Sequence, residues 1–248
     1  MTALVRSELL KIRTTRSWWA YLIVIVVLVG IAVAGDTGSN ADARGLLDFQ
    51  LGLVEAAGLG TLLALILGIT MVTTEFRHGT VTPTFLAEPK RERVLASKAL
   101  AGLVTGLLFG ALALLLVAAV ALPWLLIVDA DIHLGDPEVG KRALQILASF
   151  VLWALMGIAV GSVVHSQVAA LVGTLVWMFI GETLLWGLLS WLDIDGAASY
   201  LPFRALDGAD GTGGEDLLDY CPAVAVALGW IALLGGLGVA RTRRRDIT

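Results

Sequence analysis

The chain has 248 residues, is 58% hydrophobic and only 15% charged, and carries a formal net charge of −4, against about 45–50% apolar and about 25% charged residues in an average soluble domain. Its apolar residues come in long blocks that no soluble fold of this length could cover, so a water-soluble globular protein is excluded and a bilayer is the solvent for most of the chain. The mildly acidic total argues against a nucleic-acid partner, but in a membrane protein it averages two compartments and has to be divided by side.

Residues 1–17 form a leader in which Val5, Leu9 and Ile12 fall at helical spacing while Arg6, Lys11 and Arg13 are mostly turned elsewhere. Two readings stand: an amphipathic helix in the cytoplasmic interface with its basic residues against anionic lipid, or a positively charged topology signal without fixed structure. Six apolar stretches follow, at residues 18–34, 51–73, 99–128, 143–164, 168–191 and 220–240. They read as helices, because in lipid every backbone N–H and C=O must be paired within the segment and continuous apolar runs lack the period-2 alternation of a barrel strand. At about 1.5 Å per residue most match a hydrocarbon core of roughly 30 Å; the third is longer and is expected to tilt, break or begin as an interfacial helix. The leader, the first stretch and Ala32-Val33-Ala34 also resemble a secretory signal, but the long basic leader and long apolar run favour an uncleaved span.

Charge orients the spans. Arg6, Lys11, Arg13 and Arg16 precede the first; Arg77, Lys90, Arg91, Arg93 and Lys98 lie between the second and third; Arg241, Arg243, Arg244 and Arg245 follow the last. That places 13 of the 17 basic residues on one side. The opposite loops hold Arg44, Lys141, Arg142 and Arg204 with fourteen acidic residues, so the total divides into about +8, −10 and the −2 of Glu55 and Glu182 within spans. By the positive-inside rule both termini are cytoplasmic. The expected architecture is an all-α polytopic membrane protein: an interfacial helix over 1–17, then one six-span domain over 18–248 with a cytoplasmic loop at 74–98 and an extracellular segment at 192–219.

The 74–98 loop mixes both charge signs with Phe76, Phe85 and Leu86 and is interrupted by Pro83 and Pro89, which predicts short helical pieces able to dock a soluble partner. Within it, Glu75-x-Arg77-x-Gly79-Thr80, followed by Pro89, Arg91 and then Lys98 at the head of the next span, resembles the pattern of the ABC type-2 permease family, the membrane subunits of ATP-driven transporters. The basic leader, six spans, internal termini and polar segment before the last span match as well; the Pro83 and Pro89 pair departs from the pattern. The resemblance implies that Glu75, Arg77, His78, Gly79, Thr80, Arg91 and Lys98 couple this chain to ATPase subunits. Gly79 would permit a turn, and Glu75 and Arg77 would fix the loop to span ends or partner. It further implies a second permease subunit, identical or similar, in a cell-membrane exporter of hydrophobic or amphipathic substrates, with ATP and magnesium held by the ATPase chains and no cofactor in this one. It also implies a short helix around Tyr200–Leu206 that dips back to the membrane.

Other motifs carry less. Gly135-Asp136-Pro137-Glu138-Val139-Gly140-Lys141-Arg142 fits G-x-x-x-x-G-K, but Arg142 stands where a hydroxyl should ligate magnesium and no strand precedes it, so it reads as a chance match. Gly102, Gly106 and Gly110 on the third span, and Gly157 and Gly161 on the fourth, form small-residue stripes that allow close helix approach, between neighbouring spans rather than between copies. Trp153, Trp177 and Trp230 lie deep and read as packing. Glu75 and His78 sit three apart, but two ligands do not make a metal site, and the single cysteine, Cys221, excludes an intramolecular disulfide and a cysteine cluster. Glu182 is the outlier, a carboxylate well inside the fifth span, where it must be neutral, paired or in contact with water. A place in a substrate path and a structural hydrogen bond across helices are both open for it. The rival functions are an ion-coupled secondary transporter centred on Glu182, for which no repeated halves are seen, and an intramembrane enzyme, for which polar residues are too sparse.

Overall fold

The computed structural model describes residues 2–14, 17–39, 45–88, 90–211 and 216–243. Arg16, Arg44, Pro89, Arg244 and Arg245, all used above, lie outside the described residues. Within those residues the chain is helical and without strands. The elements are α1 (Thr2–Thr14), α2 (Ser17–Ser39), α3 (Leu47–Glu55), a 3-10 turn (Ala56–Gly60), α4 (Thr61–Arg77), α5 (Val81–Ala87), α6 (Arg91–Ile127) and α7 (Pro137–Val163). Then come α8 (Gln167–Val176), a π turn (Trp177–Gly181), α9 (Glu182–Trp191), α10 (Asp195–Ala198), α11 (Pro202–Ala209) and α12 (Tyr220–Arg243). Five stretches, Leu47–Arg77, Arg91–Ile127, Pro137–Val163, Gln167–Trp191 and Tyr220–Thr242, are each long and apolar enough to cross a membrane. They become six when α1 and α2, whose axes differ by 70°, are taken as one bent span. This is the make-up of a multi-pass membrane protein.

Two stretches differ from the sequence expectation in an instructive way. The third span is neither broken nor confined to 99–128: α6 is one helix of 37 residues, about 55 Å long at 1.5 Å per residue. Its start at Arg91 takes in most of the second half of the expected loop, because Arg91-Glu92-Arg93-Val94-Leu95-Ala96 are mostly good helix formers with no proline or glycine among them. The connection between α4 and α6 is therefore residues 78–90, with α5 inside it. Pro83 does not interrupt α5, since it occupies the third helical position, where the missing N–H has no intrahelical partner to lose. The fifth span changes winding at the π turn Trp177–Gly181 directly before Glu182, which is itself buried.

The bundle is built around α7. About two thirds of its most apolar stretch is buried (67%), and 61% of that of α3–α4, whereas α8–α9 and α12 bury only 17% each. Glycines explain the contact. A Cβ on Gly157 would come 2.9 Å from the Ile69 nitrogen and closer still to the Leu65 carbonyl, and one on Gly68 would strike the Ala154 carbonyl, so α4 and α7 touch backbone to backbone. On the other side, a Cβ added to Gly106 would come 2.8 Å from the Phe150 carbonyl, and one on Gly110 would meet the Phe150 side chain at 3.2 Å. The small-residue stripes thus join neighbouring spans of one chain, with Leu65, Ile69, Phe150 and Met156 filling the space between.

Hydrogen bonds define two ends. At the basic end, Arg77 Nη1 donates to Gln167 Oε1 at 3.1 Å, Arg241 Nη1 to the Val163 carbonyl at 3.0 Å, and Arg91 Nη1 to the Thr242 carbonyl. At the acidic end, Gln50 Nε2 donates to the Asp131 carbonyl at 2.6 Å while its Oε1 accepts from the His133 N–H at 2.9 Å. There Arg142 meets Glu55 at 3.3 Å, and Lys141 pairs with Glu138 in the first turn of α7, so the Gly135–Arg142 segment opens a helix.

Candidate functional site

Of the seven residues singled out in the 74–98 segment, four are exposed, two are buried and Arg91 is half-buried. Arg77, His78, Gly79 and Thr80 are exposed where α4 ends and α5 begins. Gly79 takes a left-handed φ of +68°, which lets the chain leave α4 and start α5 one residue later. Arg77 reaches Gln167 at the start of α8, and the Phe76 ring meets His165 in a tilted contact with centroids 4.1 Å apart, so the end of α4 is anchored beside the α7–α8 junction. Beyond the turn, Leu86 on α5 is 76% exposed and Pro83 is exposed too.

Glu75 and Lys98 point the other way, into the protein, at 6% and 3% exposure. Lys98 Nζ lies 2.8 Å from Glu75 Oε1, joining the last turn of α4 to α6 across the base of the 78–90 connection. The sequence pattern showed neither this pair nor its extension to α1, and the structure shows both. Lys11 Nζ is 2.6 Å from Glu75 Oε1 and 2.6 Å from Glu8 Oε1, and Lys98 Nζ is 2.8 Å from Glu8 Oε2. The Met71 carbonyl accepts a further bond from Lys98 at 3.1 Å. Lys11 is therefore paired within the protein, whereas Arg6 and Arg13 are exposed. The signal that could have shown this is Glu8, the one acidic residue of a basic leader, three residues before Lys11 and on the same helical face. Beside this cluster lies a cavity of about 420 Å³ between α1, α2 and α4, bordered by Ile12, Tyr21, Thr70 and His78. Arg91 is tied to the end of α12 and is part of the frame, not of the exposed surface.

Glu182 belongs to a different arrangement at the acidic end. Its Oε1 accepts the Phe203 N–H at 2.9 Å and its Oε2 the Arg204 N–H at 3.0 Å. These are first-turn amides of α11, which have no intrahelical acceptor, and a carboxylate there also meets the positive end of the helix dipole. Both carboxylate oxygens are thus committed to positioning α11, whose Phe203, Ala205, Leu206 and Ala209 are buried against the bundle. Among the deep tryptophans, Trp153 Nε1 donates to Asp210 Oδ1 at 3.4 Å and Trp230 Nε1 to the Tyr200 carbonyl at 2.9 Å. Burial pushes the Asp210 carboxyl up to about 7, with Asp207 adding to the rise and the Trp153 N–H opposing it. A second cavity, about 310 Å³ and almost wholly apolar, lies between α7, α8 and α12 beneath Phe203.

Among the described residues no three His, Cys, Asp or Glu side chains gather as metal ligands, and Glu75 Oε1 is engaged by two lysines. No protein-family model matches the chain, and no curated protein sequence matches it.

Proposed function

We propose that this chain is the membrane-spanning subunit of an ATP-driven transporter of the ABC type-2 permease kind, docked by separate ATPase subunits on the 78–90 connection. The observation that supports this most is a short helix, α5, standing with exposed Leu86 between two span ends that Glu75 and Lys98 hold together inside the protein. A surface meant to receive force from a partner needs this combination, exposed contact residues on a base that cannot yield locally. The residues of the family-like pattern supply both parts: Arg77, His78, Gly79 and Thr80 on the outside, Glu75 and Lys98 within.

On this reading α1 lies in the cytoplasmic interface, six spans follow with α2 as the first, and both termini face the cytoplasm, consistent with the basic residues gathered at one end. Two such subunits, identical or similar, would enclose a path through the cell membrane. Closure of the ATPases on ATP and magnesium pushes α5, and because α4 and α6 are long rigid elements the push tilts them as bodies, changing the side to which the path opens. The substrate class best suited to such walls is hydrophobic or amphipathic, moved outward. The rival ion-coupled mechanism has less support, since it needs a carboxylate free to exchange ions and both oxygens of Glu182 already accept backbone N–H groups.

The test is purification in mild detergent followed by identification of the soluble chains retained. A nucleotide-hydrolysing subunit should copurify with the natural chain and be lost when residues 81–87 are replaced by a Gly-Ser linker of equal length, with the helical content of the spans unchanged. If no ATPase is retained, or the linker variant retains it equally, the reading is wrong.

A further inference from the structure

We propose that α1 is a releasable strap across the base of the 78–90 connection, held by a closed ring of four charges that parts into two neutral pairs. The ring runs Glu8, Lys11, Glu75, Lys98 and back to Glu8, alternating in sign, with edges of 2.6, 2.6, 2.8 and 2.8 Å. Each charge touches two of opposite sign. Cutting the ring between α1 and the bundle breaks the Lys11–Glu75 and Glu8–Lys98 edges and leaves Glu8–Lys11 closed on α1 and Glu75–Lys98 closed on α4 and α6.

That division matters because breaking an ordinary buried salt bridge strands a charge, which is what makes such a break costly. Here no charge is stranded on either side. The Glu8–Lys11 pair is also one that a helix supports by itself, at a separation of three residues. Apolar packing holds α1 only in part: Val5, Leu9 and Ile12 are half-buried, its buried side chain is Glu8, and Leu10 is 58% exposed. The cavity of about 420 Å³ between α1, α2 and α4 leaves space on one side of the helix in which it can rock. A helix held by separable charges, next to open volume and with an apolar face that is only half-buried, is built to dock and leave. Its docked state reports that the ends of α4 and α6 are at their close spacing, since the ring closes only when Glu75 and Lys98 are adjacent. This inference goes beyond the permease reading and stands whatever loads the loop.

The test is backbone hydrogen exchange on the full chain in lipid nanodiscs, comparing peptides from residues 4–14 with peptides from α4, α6 and α7. Glu8→Gln/Lys11→Gln removes the α1 half and leaves Glu75–Lys98 intact. Glu8→Lys/Lys11→Glu keeps the same composition and an intact helical pair but turns like charges toward Lys98 and Glu75. Both should speed exchange in residues 4–14 at least tenfold while α4, α6 and α7 keep their protection, and Lys11→Arg should leave exchange within twofold of the natural chain. Unchanged exchange in the reversed variant would mean that apolar contacts hold α1, and loss of protection in α4 and α6 together with α1 would mean a structural staple; either result overturns the proposal.

Discussion

Two buried acidic sites at opposite ends of the bundle solve the same problem by different means. At the basic end, Glu8 and Glu75 are balanced by Lys11 and Lys98, side chain against side chain. At the acidic end, Glu182 is balanced by the backbone N–H groups that begin α11. Lysine ends can exchange partners without moving the backbone, whereas amides of a helix start cannot leave their acceptor unless the helix moves. The first arrangement suits an element that has to shift, and the second fixes a segment in place.

The comparison can be broken most strongly at Lys98. Lys98→Met leaves two buried carboxylates sharing one lysine and should cost about 3–5 kcal/mol, read as a lowered unfolding midpoint of the detergent-solubilised chain. Glu75→Met/Lys98→Met removes one neutral pair and should be far milder; equal losses would show that the pairing is not what stabilises the site. At the other end, Glu182→Gln keeps one acceptor oxygen but orphans an α11 amide, a loss of about 1–3 kcal/mol that should appear as faster hydrogen exchange in residues 202–209 and leave residues 4–14 unaffected. If exchange rises in both places, the two sites are not independent. Gly79→Ala is smaller: no atom lies within 4 Å of its added Cβ, so only the left-handed φ of +68° is strained, for about 1–2 kcal/mol.

The subtlest prediction concerns pH. The Asp210 carboxyl titrates near 7 in the folded protein, against an ordinary value of 3.8. Between these values the folded state binds more protons than the unfolded one, so this group's contribution to stability is fully present below about pH 4 and is lost as pH rises through 7. Asp210→Asn should flatten the fall in unfolding midpoint between pH 5 and 8, and an unaltered slope would mean that the carboxyl is not held away from water by α7.

Where the sequence was read correctly, the signal was local. Five of the six apolar stretches lie in helices long and apolar enough to cross a membrane; the glycine stripes lie between neighbouring helices; and a short helix does follow Leu201, since Pro202 suits a first helical position and Phe203 and Leu206 share one face. The extent of the 78–90 connection was not legible, because a charged run such as Arg91-Glu92-Arg93 is as compatible with a loop as with a helix extended beyond the membrane. Of the candidate residues, Gly79 takes a left-handed φ after α4 and Arg77 bonds to Gln167, which ties the end of α4 to the start of α8. Glu75 and Lys98 were recognised as belonging to one motif without any sign that they touch each other.

Composition and pattern by themselves determined that the chain is helical, crosses a membrane several times and gathers its basic residues at one end, because the bilayer imposes those constraints on every segment separately. Only the tertiary structure decided which side chain answers which charge. Glu8 and Lys98 are ninety residues apart, and so are Arg77 and Gln167. No local periodicity encodes such pairs, which exist because α7 holds its neighbours at backbone contact and so brings their ends together.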